Sequence, residues 1–299
     1  MNIFSAIVIM LLAINSFCYA ETVKTKEFKL VAKETKWELL PGVEVDAWAY
    51  NGQVPGPEIR VKEGDRVKII LQNQLNVPTT IHWHGLIVPI KMDGVPGVSM
   101  PEVKPGESFT YEFIARPAGT FWYHPHFDSL NQISRGLYGP FIVGPKVPDV
   151  KVDREYTLMM SEWTIPPKQE SQGAHSMEKM GGGMKEANYF TINGKSAPAI
   201  PPLKVKKGEH IRIRFINAGN QVHPMHLHGH AFRVISTDGY PLPNKGQLKD
   251  TLPVNAGERF DVVFKADNPG TWALHCHDLH HVTNDGVYPG GLLTVVQYE

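Results

Sequence analysis

Val61-Lys-Glu-Gly-Asp-Arg-Val-Lys68 returns later in the chain as Val205-Lys-Lys-Gly-Glu-His-Ile-Arg212. Both copies read as a glycine turn flanked by charge and followed by a strand, and such a recurrence marks a duplicated structural unit. The register holds on working outward. His82 lies eighteen residues after Gly64 and His226 eighteen after Gly208, so His82-Trp-His-Gly85 answers to His226-Leu-His-Gly229. Gly106-Glu-Ser-Phe109 answers to Gly257-Glu-Arg-Phe260, and Gly119-Thr120 to Gly270-Thr271, which sets His124 and His126 against His275 and His277.

The stretches between these landmarks are strand-like. Arg66-Val-Lys-Ile-Ile-Leu71 has the alternation of a half-buried strand, Tyr111-Glu-Phe113 and Gly139-Pro-Phe-Ile-Val143 add two more, and Pro41-Gly42, Asn51-Gly52 and Pro55-Gly56 punctuate them as turns. With 24 prolines and 27 glycines breaking up short apolar runs, the expected fold class is all-β. The two copies divide the 299 residues into a first domain over 21–145, a linker over 146–152 and a second domain over 153–299. The second copy carries an insertion, 166–188, with no counterpart in the first.

The copies differ where chemistry needs them to. Cys276 stands opposite Pro125, His223 opposite Thr79 and His281 opposite Leu130, so a thiol and two extra imidazoles occur together only in the second copy. Two imidazoles and one thiolate are the donor set of a blue-copper electron-transfer site. His82, His84, His124, His126, His226, His228, His275 and His277 remain as four His-x-His pairs, two from each copy. Eight imidazoles suit a cluster of several coppers between two domains, whereas a closed zinc site takes four ligands and would leave half of them idle. In an extended segment, successive side chains face opposite ways. Cys276 would therefore look to one side of its strand and His275 and His277 to the other, joining two metal centres through a few covalent bonds. His230 reads as a hydrogen-bonded structural group and His280 as a solvent-facing neighbour of the site.

Composition limits the alternatives. Thirty acidic and thirty basic side chains leave no net charge and no basic run, so nucleic acid is not an expected partner. Residues 1–20, with an apolar Ile3 to Phe17 and the small-residue site Cys18-Tyr19-Ala20, read as an export signal, leaving an exported chain, periplasmic or secreted, with no membrane span. Loss of Cys18 with that signal makes Cys276 the only thiol, for which metal ligation is the reason.

On His82-Trp-His-Gly85, His124-Pro-His126, His223-Pro-Met-His-Leu-His-Gly-His230 and His275-Cys-His-Asp-Leu-His-His281, the chain resembles the multicopper oxidases, closely their two-domain, laccase-like branch. The resemblance covers nearly all of the chain after residue 20. It implies two tandem cupredoxin-like Greek-key β-sandwich domains and four coppers per active unit. It assigns His223, Cys276 and His281 to the type 1 copper, and His82 and His226 to the type 2 copper. One type 3 copper would take His84, His124 and His277, and the other His126, His228 and His275. It further implies a homotrimer with each trinuclear site shared between subunits, His281 as the ligand facing the reducing substrate, and Asp93 as an acid that orients water or relays protons. Asp93-Gly94 also reads as a simple turn. Two positions depart from the family pattern. Gly286 stands where the axial residue of the type 1 copper is expected, leaving Leu292 or Val287 for that place. Val282 stands where relatives carry a carboxylate, leaving Asp278 or Asp285 as substitutes.

The implied activity couples one-electron oxidation of a donor, phenols or aromatic amines, to reduction of dioxygen to water. The alternative donor is Cu(I): Met177, Met180, Met184 and His175 in the insertion offer soft ligands, or else form an ordinary flexible loop. A copper nitrite reductase would carry its cysteine in the first domain, where Pro125 stands. A copper carrier would not explain a cysteine between two histidines.

Overall fold

The computed structural model describes residues 25–147, 150–166 and 186–299. The expected signal and the Met/His insertion, with His175, Met177, Met180 and Met184, lie outside them.

Strands before residue 145 pair only with one another, and so do those after 153, among the described residues. In the first half, Val43–Tyr50, Thr25–Leu40, Arg66–Asn73 and Ser108–Ile114 form one four-stranded sheet in that order. Ile59–Lys62, Gly139–Gly144, Gly119–His124 and His82–His84 form the other. Their inner faces alternate apolar residues: Val67, Ile69 and Leu71 from one sheet meet Trp83, Phe121 and Phe141 from the other. The second half repeats the plan with a seven-stranded sheet, built on Arg154–Trp163, His210–Asn217 and Arg259–Lys265, over a five-stranded one. The smaller sheet holds Leu203–Val205, Leu293–Tyr298, Thr271–Cys276, His223–Leu227 and Thr251–Val254.

The duplication read from the sequence is present in the backbone. Thr25–Leu40 lies parallel to Arg66–Asn73 just as Arg154–Trp163 lies parallel to His210–Asn217. The turn glycines opening the repeated motif have nearly the same left-handed φ, +92° at Gly64 and +93° at Gly208, a conformation a side chain disfavours. His82–His84 faces Gly119–His124 with His82 opposite His124; His223–Leu227 faces Thr271–Cys276 with His226 opposite His275.

A third apolar cluster, including Trp122 and Tyr138 from the first half and Met159, Trp163 and Ile216 from the second, joins the two sandwiches. Beside it, Thr120 donates to Asp261 (2.5 Å), which also accepts from Arg214 at 2.6 Å, both charges being nearly inaccessible. That pair belongs to the second half, and the Thr120 hydroxyl of the first half is hydrogen-bonded to both of its members.

Candidate metal centres

Cys276 ends the strand Thr271–Cys276, and its alternation is the one the sequence implied: Leu274 and Cys276 are buried in the second sandwich, His275 is half-buried on the other face and His277 is exposed. Across from it, Met225 pairs with Cys276 in register, and His223 enters from the same strand. His281 comes from the short 3-10 turn Leu279–Val282. The three donors converge. His223 Nδ1 lies 3.1 Å from His281 Nδ1, which lies 3.5 Å from Cys276 Sγ, and all three residues are at most 3% exposed.

Their outer nitrogens are held by acceptors. His223 Nε2 faces Glu162 Oε1 at 2.8 Å, and His281 Nε2 faces Gln221 Oε1 at 2.6 Å. Oxygens of this kind can only accept, so each Nε2 carries the hydrogen and each Nδ1 lone pair points inward, towards its twin. Two imidazole lone pairs and a sulfur aimed at one point suit a soft metal cation. Burial pushes the Cys276 thiol up to about 12 and His281 down to about 4, the latter helped by His223. Burial alone would raise the Glu162 carboxyl, but hydrogen bonds from His223 and from the Asn220 and Gln221 backbones leave it below the ordinary value.

The eight paired histidines form two half-sites. In the first half, His82, His84 and His124 offer ligand atoms within 4.8 Å of one another, and His84 Nδ1 lies 3.3 Å from His124 Nε2. His126 is exposed at their edge, its ring 5.6 Å from that of His82. In the second half, His228 Nε2 lies 3.0 Å from His275 Nε2, and the His226 ring sits 5.7 Å from that of His277. Ring orientation follows the duplication. His82 Nδ1 donates to the Asp93 carbonyl and His226 Nδ1 to the Asp250 carbonyl, both at 2.9 Å. His124 and His275 each donate Nδ1 to the carbonyl of the next residue, Pro125 or Cys276, at 2.9 and 2.8 Å. Those four rings therefore present Nε2 as the free ligand atom. Burial is the main cause that lowers His84 and His124 to about 3, with Arg259 adding to it at His84. The first half-site lines a cavity of about 390 Å³ whose far wall includes Asn220 and Gly257 of the second half, not histidines.

The other residues singled out in the sequence fall as follows. Asp93 brings its carboxylate to 3.3 Å from His82 Nδ1, so it is more than a turn residue. His230 stacks on Tyr298 and bonds its hydroxyl at 2.7 Å, the structural place read for it, and His280 is exposed. Val287 is 67% exposed, whereas Leu292 is buried and its backbone bonds both Cys276 and His281. Asp278 caps the His280 turn and Asp285 accepts from Asn188. His281, expected to face the donor, is 3% exposed, with its Nε2 on Gln221 Oε1 and the Asp278 carboxylate 3.7 Å away. Glu162, Gln221 and Asp250 escaped the sequence reading. Each touches its histidine from a strand or loop distant in sequence, and no motif spacing records such a contact.

Comparison with known proteins gives the family. Two family models, both described as multicopper oxidase, match residues 31–148 and 166–288. The crystal structure of blue copper oxidase from Nitrosomonas europaea superposes with a TM-score of 0.84 at 40% identity, covering 92% of this chain and 86% of that one. The chain belongs to the multicopper oxidase family. Its two sandwiches are accordingly tandem cupredoxin-like domains of Greek-key topology. Copper resistance protein A of Escherichia coli is 37% identical over 175 residues, 58% of this chain and 27% of that protein. Laccase-3 of Thanatephorus cucumeris is 32% identical over 291 residues, 89% of this chain and 49% of that protein. The chain spans less than half the length of either of these multicopper oxidase relatives. Copper is the family's metal, and the donor sets fit it: one thiol with two inward-facing Nδ1 atoms, and an all-imidazole group of His82, His84 and His124. No helix among the described residues is long and apolar enough to cross a membrane.

Proposed function

We propose that the chain is an oxygen-reducing multicopper oxidase of laccase-like type. The single observation that carries this is the convergence of His223, Cys276 and His281 on one point, with His275 and His277 flanking the cysteine on the opposite face. Copper held by His223, Cys276 and His281 and by the paired histidines would supply one-electron chemistry, so that four one-electron donor oxidations, with four protons from solvent, would reduce dioxygen to two waters. Cys276 provides the short covalent link between the two centres. Asp93 holds His82 by its carbonyl and keeps a carboxylate beside it, which suits positioning of a proton for oxygen reduction.

The donor docks in the cavity of about 670 Å³ lined by Trp163, Ile165, Leu130, Glu162 and Gln221. Gln221 hydrogen-bonds His281 there, so electrons leave a bound donor one side chain away from a copper ligand. Its lining mixes Leu130, Trp163 and Ile165 with acceptors such as Glu44, Asp46 and Glu162, which suits an aromatic donor that carries a hydroxyl or amine. Cu(I) is the second reading, favoured by the name of the Escherichia coli relative and by Met177, Met180 and Met184. Export follows from residues 1–20 as read above.

The test is oxygen uptake by the copper-loaded protein with a phenol and, separately, with Cu(I). Uptake stopped by Cys276→Ser supports the reading, and the faster donor assigns the substrate class. Full copper loading without uptake from any donor would sink it.

A further inference from the structure

Glu162 belongs to no motif, yet it sits behind both imidazoles of the Cys276 centre. It projects from the strand Arg154–Trp163 with its side chain only 7% exposed. Its carboxylate accepts three hydrogen bonds: from His223 Nε2 at 2.8 Å and the Gln221 backbone at 3.0 Å through Oε1, and from the Asn220 backbone at 2.8 Å through Oε2. Gly219 makes this approach possible, since a Cβ there would lie 2.2 Å from Glu162 Oε1. The loop so held carries Gln221, whose Oε1 is 2.6 Å from His281 Nε2. One carboxylate therefore orients His223 directly and His281 at one remove.

We propose that Glu162 is the positioning residue of the Cys276 centre, and that its negative charge behind His223 lowers the reduction potential of copper bound there. The inference rests on reading that centre as the type 1 copper site. Outer partners of this kind fix ring orientation and make the imidazole a stronger donor. A stronger donor stabilises the more highly charged, oxidised ion over the reduced one. The two histidines differ in this respect, because His223 is backed by a carboxylate and His281 by a neutral amide. Stabilised oxidised copper is harder for a donor to reduce, so Glu162 sets which donors the centre can oxidise.

The test compares wild type with Glu162→Gln and Glu162→Asp, each copper-loaded, by redox titration of the thiolate-to-copper absorption band. Glu162→Gln keeps shape and one acceptor but removes the charge. The expected result is a retained band with a midpoint shifted to higher potential, and copper held roughly tenfold or more weakly against a chelator. Glu162→Asp keeps the charge at a longer reach and should shift the midpoint by a smaller step in the same direction. An unchanged midpoint in Glu162→Gln with an intact band overturns the proposal, as does an equal shift in Glu162→Asp. If Glu162→Gln fails to fold, the Asp variant alone decides, and an unmoved midpoint there overturns the proposal. A wild-type protein that takes copper without any thiolate band is a different outcome: it removes the type 1 reading itself.

Discussion

Six imidazoles at these centres, those of His82, His124, His223, His226, His275 and His281, are poised by what sits on the far nitrogen. Carbonyls of Asp93, Pro125, Asp250 and Cys276 take the Nδ1 hydrogens of His82, His124, His226 and His275, so the ligand atom of each is chosen before any metal arrives. Readiness to bind a cation also requires neutral rings. Burial lowers His84 and His124 from the ordinary 6.5 to about 3. The sign of the consequence follows from proton counting. As pH falls below 6.5 the unfolded chain protonates these two histidines while the folded chain does not until about 3, so protons favour unfolding across that window. Copper-free protein should therefore hold its full stability above pH 6.5 and lose it progressively towards pH 3. Urea midpoints of the metal-free chain, stepped through that range, measure it. His84→Gln, which cannot take up the proton, should flatten the slope, and an unaltered slope would show that His84 does not carry it. The histidines that the structure gathers into pairs were legible because they recur in register, His82 with His226 and His124 with His275, and the Cys276 centre was legible because it does not recur. Their outer partners were not, since Glu162 reaches His223 across the sandwich from another strand. By strand register Glu162 answers to Glu34, which is exposed, so comparing the two copies gives no sign that one of these glutamates is buried against a ligand.

At the scale of elements, the turn after Ile90–Met92 decides where His82 points. Asp93 ends this 3-10 turn, and Gly94 follows at φ +81°, packed so closely that a Cβ would lie 1.9 Å from the Ile81 carbonyl oxygen. Asp93-Gly94 is therefore wedged against the start of the strand His82–His84. Gly94→Ala should push this turn away and free His82 Nδ1 from the Asp93 carbonyl. Losing such an outer partner costs roughly 10- to 100-fold in metal affinity or activity. The expected outcome is oxygen uptake reduced by that order, while the thiolate-to-copper band of the distant Cys276 centre persists. A variant with normal uptake would remove Asp93 from the positioning of His82. Asp-Gly in the sequence announced a turn; that the turn abuts a ligand strand depends on tertiary packing, and so was legible only as one of two readings. The sandwich strands themselves were more transparent, because alternation such as Arg66 to Leu71 maps directly onto a sheet with one face buried. The register of His281 was transparent, but its burial was not, because Phe190, with its ring 4.3 Å from that of His281, comes from a strand beyond the insertion.

At the scale of the whole molecule, the paired histidines stand in two separate groups. His82, His84 and His124 close on one another in the first half, while His228 and His277 are exposed on the second, and among the described residues no ligand group mixes histidines of the two halves. The wall of the second half that faces the first half-site brings Asn220 and Gly257 rather than ligands. If these half-sites form the trinuclear cluster that the family resemblance implies, a second copy of the chain is the expected source of the facing imidazoles. Cyclic assembly would do this for every subunit at once when the contact is heterologous and the ring closes, and the ring expected from the family resemblance is a trimer. Complementation tests it directly. A chain with His84→Ala and His124→Ala lacks the first half-site; one with His228→Ala and His275→Ala lacks the second. Each alone should be inactive. Co-expressed, mixed trimers place an intact first half-site of one chain against an intact second half-site of the next at one interface in three. Recovered oxygen uptake should then be about a quarter of wild type for random mixing. If the cluster instead formed within one chain, the mixture would be as inactive as its parts, because no subunit holds both intact halves.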